Sequence, residues 1–137
     1  MPSCTASISV AAPVESVWRV LAAVVAWPEW LPNVNSVEPL DDDQLSVGFR
    51  YVVRQPGLRP ATWVVSELEP PRRFVWQTRS PGLLMVAEHS IKERAVGVSE
   101  VALRFSFRGL LGVPVGKLFG RITQQYLLQE VASLAQG

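Results

Sequence analysis

Between Val37 and Arg108 the sequence changes from apolar to polar at nearly every second residue. "LSVGFRYVVRQPG" sets Val47, Phe49, Tyr51 and Val53 against Gly48, Arg50, Val52 and Arg54, and Gln55-Pro56-Gly57 ends the run. "PATWVVSELEPPRRFVWQTRSPG" reads as two strands joined at Pro70-Pro71, with Phe74, Trp76 and Thr78 on one face of the second. "LLMVAEHSIKERA" places Leu83, Met85, Ala87, His89 and Ile91 opposite Leu84, Val86, Glu88, Ser90 and Lys92, and "SEVALRFSFRG" places Val101, Leu103, Phe105 and Phe107 opposite Ala102, Arg104, Ser106 and Arg108. Period two is the signature of strands with one buried face. The links between runs are far shorter than the roughly dozen residues a parallel crossover needs, so the runs form an antiparallel meander. One face is aromatic and aliphatic. The other carries Arg50, Arg54, Lys92, Arg104 and Arg108, with Glu88 and Glu100 among them, as a solvated face would.

The meander needs a cover for its apolar face, and the two ends of the chain supply candidates. "TASISVAA" alternates at Ile8 and Val10 and reads as a first strand. Pro13 then opens a helix, with Glu15 in its first turn. Val14, Val17, Trp18, Leu21 and Val25 recur at helical spacing. Pro28 and Pro32 cannot lie inside that same helix. "VVAWPEWLPNVNSVE" is therefore expected to be a second short helical piece, with Trp27 and Trp30 wedged against the sheet or a longer helix. Val37 leads into a short strand that stops at the turn signal Asp41 to Asp43. After Pro114, "LGVPVGKLFGRITQQYLLQEVASLAQ" has helical spacing at Leu118, Ile122, Tyr126, Val131 and Leu134, the natural cover for the sheet.

Composition removes several classes of function. The 137 residues fit a single domain, 1–137, long enough to bury a core without disulfides or metal. Net charge is +1, from eleven arginines, two lysines and 12 acidic residues, so nucleic acid is not expected as a partner. One cysteine, Cys4, excludes an internal disulfide and a cysteine cluster, and it reads as a small buried hydrophobe. With one histidine there is no histidine-rich metal site, and no cofactor motif is present. "MPSCTASISVAAPVE" lacks the basic and apolar regions of a secretory signal, and "VLAAVVAW" is far short of the roughly 20 residues of a membrane helix. A cytoplasmic protein without stable membrane insertion is the expectation, as monomer or homodimer.

The order strand, two short helices, six-strand meander and long C-terminal helix resembles the START-like superfamily, also called SRPBCC, with its helix-grip or Bet v 1-like fold. Within it the chain is similar to the polyketide cyclase/dehydrase-like branch. The resemblance rests on "ISVAAPVESVWRVLA" (opening strand, proline and helix), "WPEWLPNVNSVE" (second helix and strand), "ELEPPRRFVWQ" (the turn between strands) and "QQYLLQEVASLA" (the end of the C-terminal helix). It covers roughly residues 3–135. The final "SLAQG" departs from the basic, acid-ended terminus often seen in the family. The resemblance implies an α+β helix-grip fold: a seven-stranded curved antiparallel sheet wrapped around a long C-terminal helix, with two short helices between the first two strands. It also implies an apolar cavity between sheet and helix. Family members include ligand carriers, hormone receptors, ubiquinone-binding proteins and aromatase/cyclases, so the fold leaves activity open.

His89 shares its strand face with Met85, Ala87 and Ile91 and is expected to point inward. It reads either as an acid/base or ligand-orienting group, or as a core histidine hydrogen-bonded to a neighbour. Phe49, Tyr51, Phe74, Trp76, Thr78, Phe105 and Phe107 also face inward, a mixture of rings and polar tips that suits a small-molecule pocket or plain core packing. With Met85 and His89, and with Leu118, Ile122, Gln125 and Tyr126 of the C-terminal helix, they make the expected ligand-binding set. The catalytic candidates are His89 and Tyr51. Trp63 is ambiguous, because a bulge would turn it to the other face. Glu67 and Glu93 read as strand-end carboxylates, either acid/base partners or solvated. "GLLGVPVGKLFG" lacks the spacing and hydroxyl of a phosphate loop, and its four glycines make either a gate or a closely packed helix start.

The function expected first is binding of a small hydrophobic molecule (lipid, aromatic or polyketide-like) in the internal cavity, oriented by His89, Tyr51 and Thr78. One alternative is an aromatase/cyclase or dehydratase in which His89 or Tyr51 moves a proton. The other is a protein-interaction domain whose interior its own side chains fill.

Overall fold

The computed structural model describes residues 3–31, 34–56 and 59–108, apart from the side chain of Cys4. The expected C-terminal helix lies outside the described residues, with Leu118, Ile122, Gln125, Tyr126 and the glycine-rich segment before it. So does the expected burial of Cys4.

The strands are β1 (Ser3–Val10), β2 (Ser36–Pro39), β3 (Arg50–Arg54), β4 (Ala61–Glu69), β5 (Arg73–Ser80), β6 (Leu83–Ala95) and β7 (Val98–Arg108). All pairs are antiparallel, in the order β1-β7-β6-β5-β4-β3-β2, so the first two strands in sequence hold the two edges. Helix α1 (Val14–Ala22) and a 3-10 helix (Val24–Glu29) span the gap between those edges. This seven-stranded sheet with few helices agrees with the helix-grip architecture.

Register sets the inner face. Leu68, Phe74, His89, Leu103 and Ala6 lie side by side across five strands. Val65, Trp76, Ala87 and Phe105 form the next row, and Thr78, Met85 and Phe107 the one after it. Trp63 on β4 and Phe105 on β7 are three strands apart, roughly 14 Å along a flat sheet at the usual spacing. Their ring centroids are nevertheless 5.8 Å apart. Sheet curvature and two long side chains leaning toward each other close that distance. Trp63 therefore faces inward, 6% exposed. The bulge that left it ambiguous falls two residues later, between Val65 and Glu67. There the outward pair Ser66 and Glu67 restores the phase, so that Leu68 returns to the inner face beside Phe74.

The third strand is shorter than the alternation implies. Gly48 has φ +89°, a conformation that favours glycine, and the chain turns there, with the Gly48 N–H donating to the Val65 carbonyl at 2.8 Å. Strand β3 therefore begins at Arg50, and Val47 is 58% exposed instead of facing the core. At the β5–β6 turn, Pro81 followed by Gly82 at φ 75° fits a type II turn. On the outer face, Val75 is buried between its register partners Glu67 and Glu88. Both pair with Arg73, at 2.8 and 3.6 Å, and Glu69 joins at 3.1 Å. Glu67 is thus an ion-pair partner on the outer face.

Helix α1 buries Val17 and Leu21 and half-buries Val14 and Trp18. It ends at Ala22, so Val25 belongs to the 3-10 helix. Pro28 is accommodated inside that second piece, as the division of the two helices requires. Carbonyls in the last turn of a helix lack intrahelical donors. One of them, Leu21, accepts the indole N–H of Trp27 at 3.0 Å. Trp27 is 3% exposed and packs on Phe74, Trp76 and His89, with centroids at 6.4, 5.3 and 5.5 Å. Its ring caps one helix and wedges both helices onto β5 and β6.

This double role predicts a graded loss. Trp27→Phe should lower the unfolding free energy by about 1–3 kcal/mol through the lost donor. Trp27→Ala should cost about 3–5 kcal/mol. Urea denaturation checks both, and equal midpoints for Trp27→Phe and the parent would show that the Leu21 bond contributes nothing.

Candidate ligand-binding site

The inner face near the start of β5 is closed by its own rings. His89 is 4% exposed and lies flat on Phe74, with centroids 4.3 Å apart and planes 9° apart. The two residues are direct cross-strand partners, which forces the stack. Trp76 meets the imidazole edge-on at 6.1 Å, and Trp27 covers it at 5.5 Å. Burial among these rings pulls the imidazole down to about 3, and a hydrogen bond with the Phe74 backbone only partly opposes the shift. His89 is therefore neutral at physiological pH.

The remaining expected residues spread along this face. Trp76 contacts Tyr51 at 6.0 Å and Trp63 at 5.7 Å, and Phe105 contacts Phe107 at 5.3 Å. Thr78 and Phe107 are buried, whereas Phe49, Met85 and Phe105 are half-buried. Tyr51 is fully buried, and its hydroxyl donates to the Gln44 carbonyl at 2.7 Å. Burial, and then the carboxylates of Asp42, Asp43 and Asp41, push its phenol up to about 12. Tyr51 is thus a protonated strut beneath the loop between β2 and β3. Asp41 fastens the base of the same loop. It accepts from the Arg50 backbone N–H at 2.8 Å and pairs with the Arg50 guanidinium at 3.1 Å.

That loop is one wall of a groove of about 660 Å³. Trp18, Ala22, Ala23, Val25 and Ala26 form the opposite wall, and Leu45, Leu68 and Pro70 complete the apolar lining. Arg19, Glu29, Asp43 and Gln44 supply exposed polar groups. None of the expected inward-facing residues lines this groove, but it adjoins them through one ring. Phe74 meets Trp18 edge-on at 6.2 Å and pairs with Leu68 across the strands, and on its core side it meets the stacked His89, Trp27 and Trp76. Sequence reasoning passed over this lining, although a signal exists. Ala22 and Ala26 lie four and eight residues after Trp18 and flank Val25, so they widen the apolar stripe already formed by Trp18 and Val25. A smaller recess of about 140 Å³ lies between Pro13, Val14, Glu15, Glu93, Ala95, Gly97 and Val98. Among the described residues no cluster of histidine, cysteine or carboxylates could hold a metal, and no helix is long and apolar enough to cross a membrane.

A family described as polyketide cyclase / dehydrase and lipid transport matches residues 1–136. No curated protein matches the chain. Among solved structures, the di-domain ARO/CYC BexL superposes with a TM-score of 0.79 at 22% identity, over 99% of this chain. The match covers 46% of BexL, so the chain spans about half that protein's length. The Zhui aromatase/cyclase from a Streptomyces species gives 0.75 at 19% identity, over 98% of this chain and 91% of that one. A START superfamily protein from Mycobacterium smegmatis gives 0.73 at 17% identity, over 98% and 97%. At these identities the likeness is one of fold.

The two titrating groups generate separate predictions. The unfolded chain protonates His89 near 6.5, whereas the native chain does so only near 3. Between those values the unfolded state holds more protons, so stability falls as pH falls, by at most about 1.4 kcal/mol per pH unit from this residue. His89→Leu should remove that increment, seen as a shallower loss in urea titrations from pH 6.5 to 4; an unchanged slope would refute the neutral imidazole. Tyr51→Phe should cost about 1 kcal/mol and speed amide exchange in the loop that holds Gln44. Unaltered exchange there would detach Tyr51 from the loop.

Proposed function

The chain belongs to the polyketide cyclase / dehydrase and lipid transport family, and from that premise we propose that it binds a small hydrophobic molecule of lipid, aromatic or polyketide-like type. The ligand lies on the concave side of the sheet, in the groove between the two short helices and the loop after β2, against Trp18 and Leu68. The observation that carries this reading is the groove's volume of about 660 Å³ with a mainly apolar lining. That is well inside the range of roughly 300–1,000 Å³ typical of small-molecule sites. In this reading the whole chain, 1–137, is one domain in the cytoplasm, with neither nucleic acid nor a membrane as its partner. Thr78, Met85, Phe105 and Phe107 lie on the same inner face of the sheet.

The energetics are modest. Burying about 250 Å² of apolar ligand surface at about 25 cal/mol per Å² gives about 6 kcal/mol, a Kd of tens of micromolar. Orientation then depends on the exposed polar groups of the groove.

The family description also supports an aromatase/cyclase or dehydratase acting on a polyketide-like substrate. In that reading the reactive chain folds against the inner face of the sheet, and a neutral His89 or a protonated Tyr51 takes part in proton transfer. The two readings separate on His89. Turnover that disappears in a folded His89→Ala protein supports the enzyme, and turnover that persists removes His89 from it.

For binding, native mass spectrometry of protein purified from its own source should show a reproducible bound small molecule. Ala26→Phe, which places a ring in the groove, should weaken binding at least about tenfold with little change in melting temperature. Protein that is consistently empty, or binding that Ala26→Phe leaves intact, would sink the groove as the site.

A further inference from the structure

The groove has a sign as well as a shape. Among the described residues that line it, the acidic side chains are Glu29 and Asp43 and the basic one is Arg19. The Arg19 Nε lies 3.5 Å from the Glu15 carbonyl of its own helix, an interaction that draws it along α1. Asp43 is the last of three consecutive acids in the loop wall, and of these Asp41 is neutralised by Arg50. The buried Tyr51 hydroxyl senses the same field: Asp42 and Asp43 both hold its proton more tightly. Opposite the loop, Trp18 is a half-buried ring in the apolar wall. Carboxylate acceptors beside an aromatic wall suit a ligand that brings its own donor.

Resting on the groove as the binding site, we propose that it selects apolar ligands ending in a hydrogen-bond donor, a hydroxyl or an ammonium, over those ending in a carboxylate or phosphate. The apolar body lies against Trp18, Val25, Leu45 and Leu68. The donor end reaches Glu29 or Asp43. An anionic end meets two carboxylates, with Arg19 the one basic side chain among the described lining residues, and the mismatch disfavours it. This makes the site unsuited to free fatty acids and to carboxylate-ended chains, and suited to phenols, alcohols and amines of similar bulk.

The test uses four probes of one ring size at neutral pH: naphthylmethylamine, naphthol, methylnaphthalene and naphthoate, titrated by calorimetry into the full chain. The amine and the naphthol should bind more tightly than the naphthoate, the amine by about tenfold, which is the size expected for two partly screened charges. Glu29→Gln combined with Asp43→Asn should bring the amine and naphthoate to within about twofold of each other; both residues are exposed, so the fold should survive. Naphthoate binding as tightly as the amine overturns the selectivity. So does discrimination that persists in the double variant. If all four probes bind alike and Ala26→Phe abolishes them all, the groove reading stands and the selectivity alone falls. If none binds, both fall together.

Discussion

The indole of Trp27 joins two demands that a small α+β domain must meet in the same place. The apolar end of a curved sheet needs a large ring to fill it, and the last turn of α1 needs a donor for a stranded carbonyl. Trp27 meets both, with its ring on Phe74, Trp76 and His89 and its N–H on Leu21. Because one rigid side chain serves both ends, the angle between α1 and the 3-10 helix is fixed relative to β5 and β6. That angle also fixes which residues of the two helices face away from the core, and Trp18, Ala22, Val25 and Ala26 line the groove as a result.

The sheet was legible because parity is a local property. Alternation at Phe74, Trp76 and Thr78, or at Ala87, His89 and Ile91, survives folding unchanged, since a strand cannot hide its period. Parity fails where the backbone breaks phase. Val47 continued the alternation chemically, but Gly48 at φ +89° turned it outward, and a torsion angle leaves no trace in hydrophobicity. The bulge after Val65 did leave a trace: Leu68 is out of phase with Trp63 and Val65, which requires one extra residue between them. The groove was harder to read. Its lining comes from α1, the 3-10 helix, a loop and a strand end, and only the arrangement around Trp27 brings those segments together.

The chemistry around His89 follows from the same packing. A histidine on an inward strand face suggests a proton carrier when read alone. Enclosed by Trp27, Phe74 and Trp76, it loses the solvation that an imidazolium needs, and nearby aromatic faces supply far less than water does. Its neutral form stacks well on Phe74, so the site uses imidazole as a flat ring with polar edges. Proton transfer through the imidazolium at neutral pH would demand roughly 5 kcal/mol to charge a group held near 3. A catalytic role for His89 must therefore use its neutral form, as hydrogen-bond donor or acceptor.

Phe74 connects these regions, since among the described residues it is the one ring that touches both Trp18 at the groove and His89 in the core. It is fully buried and so has no freedom to yield on its own. A ligand pressing on Trp18 and Leu68 meets a wall backed by the Phe74–His89 stack and by Trp27. The opposite wall is of another kind, an exposed loop held by Tyr51 below and by Asp41 and Arg50 at its base. Those bonds are few and near solvent, where water competes with each of them. The groove thus has one stiff side, set by aromatic packing, and one compliant side, set by hydrogen bonds. On the proposed reading, adjustment to ligands of different bulk falls to the loop, while the helices fix the position of the apolar body. The two carboxylates divide in the same way: Glu29 belongs to the stiff wall and Asp43 to the compliant one. On the proposed reading, Glu29 sets where a donor end is read and Asp43 adapts to its length.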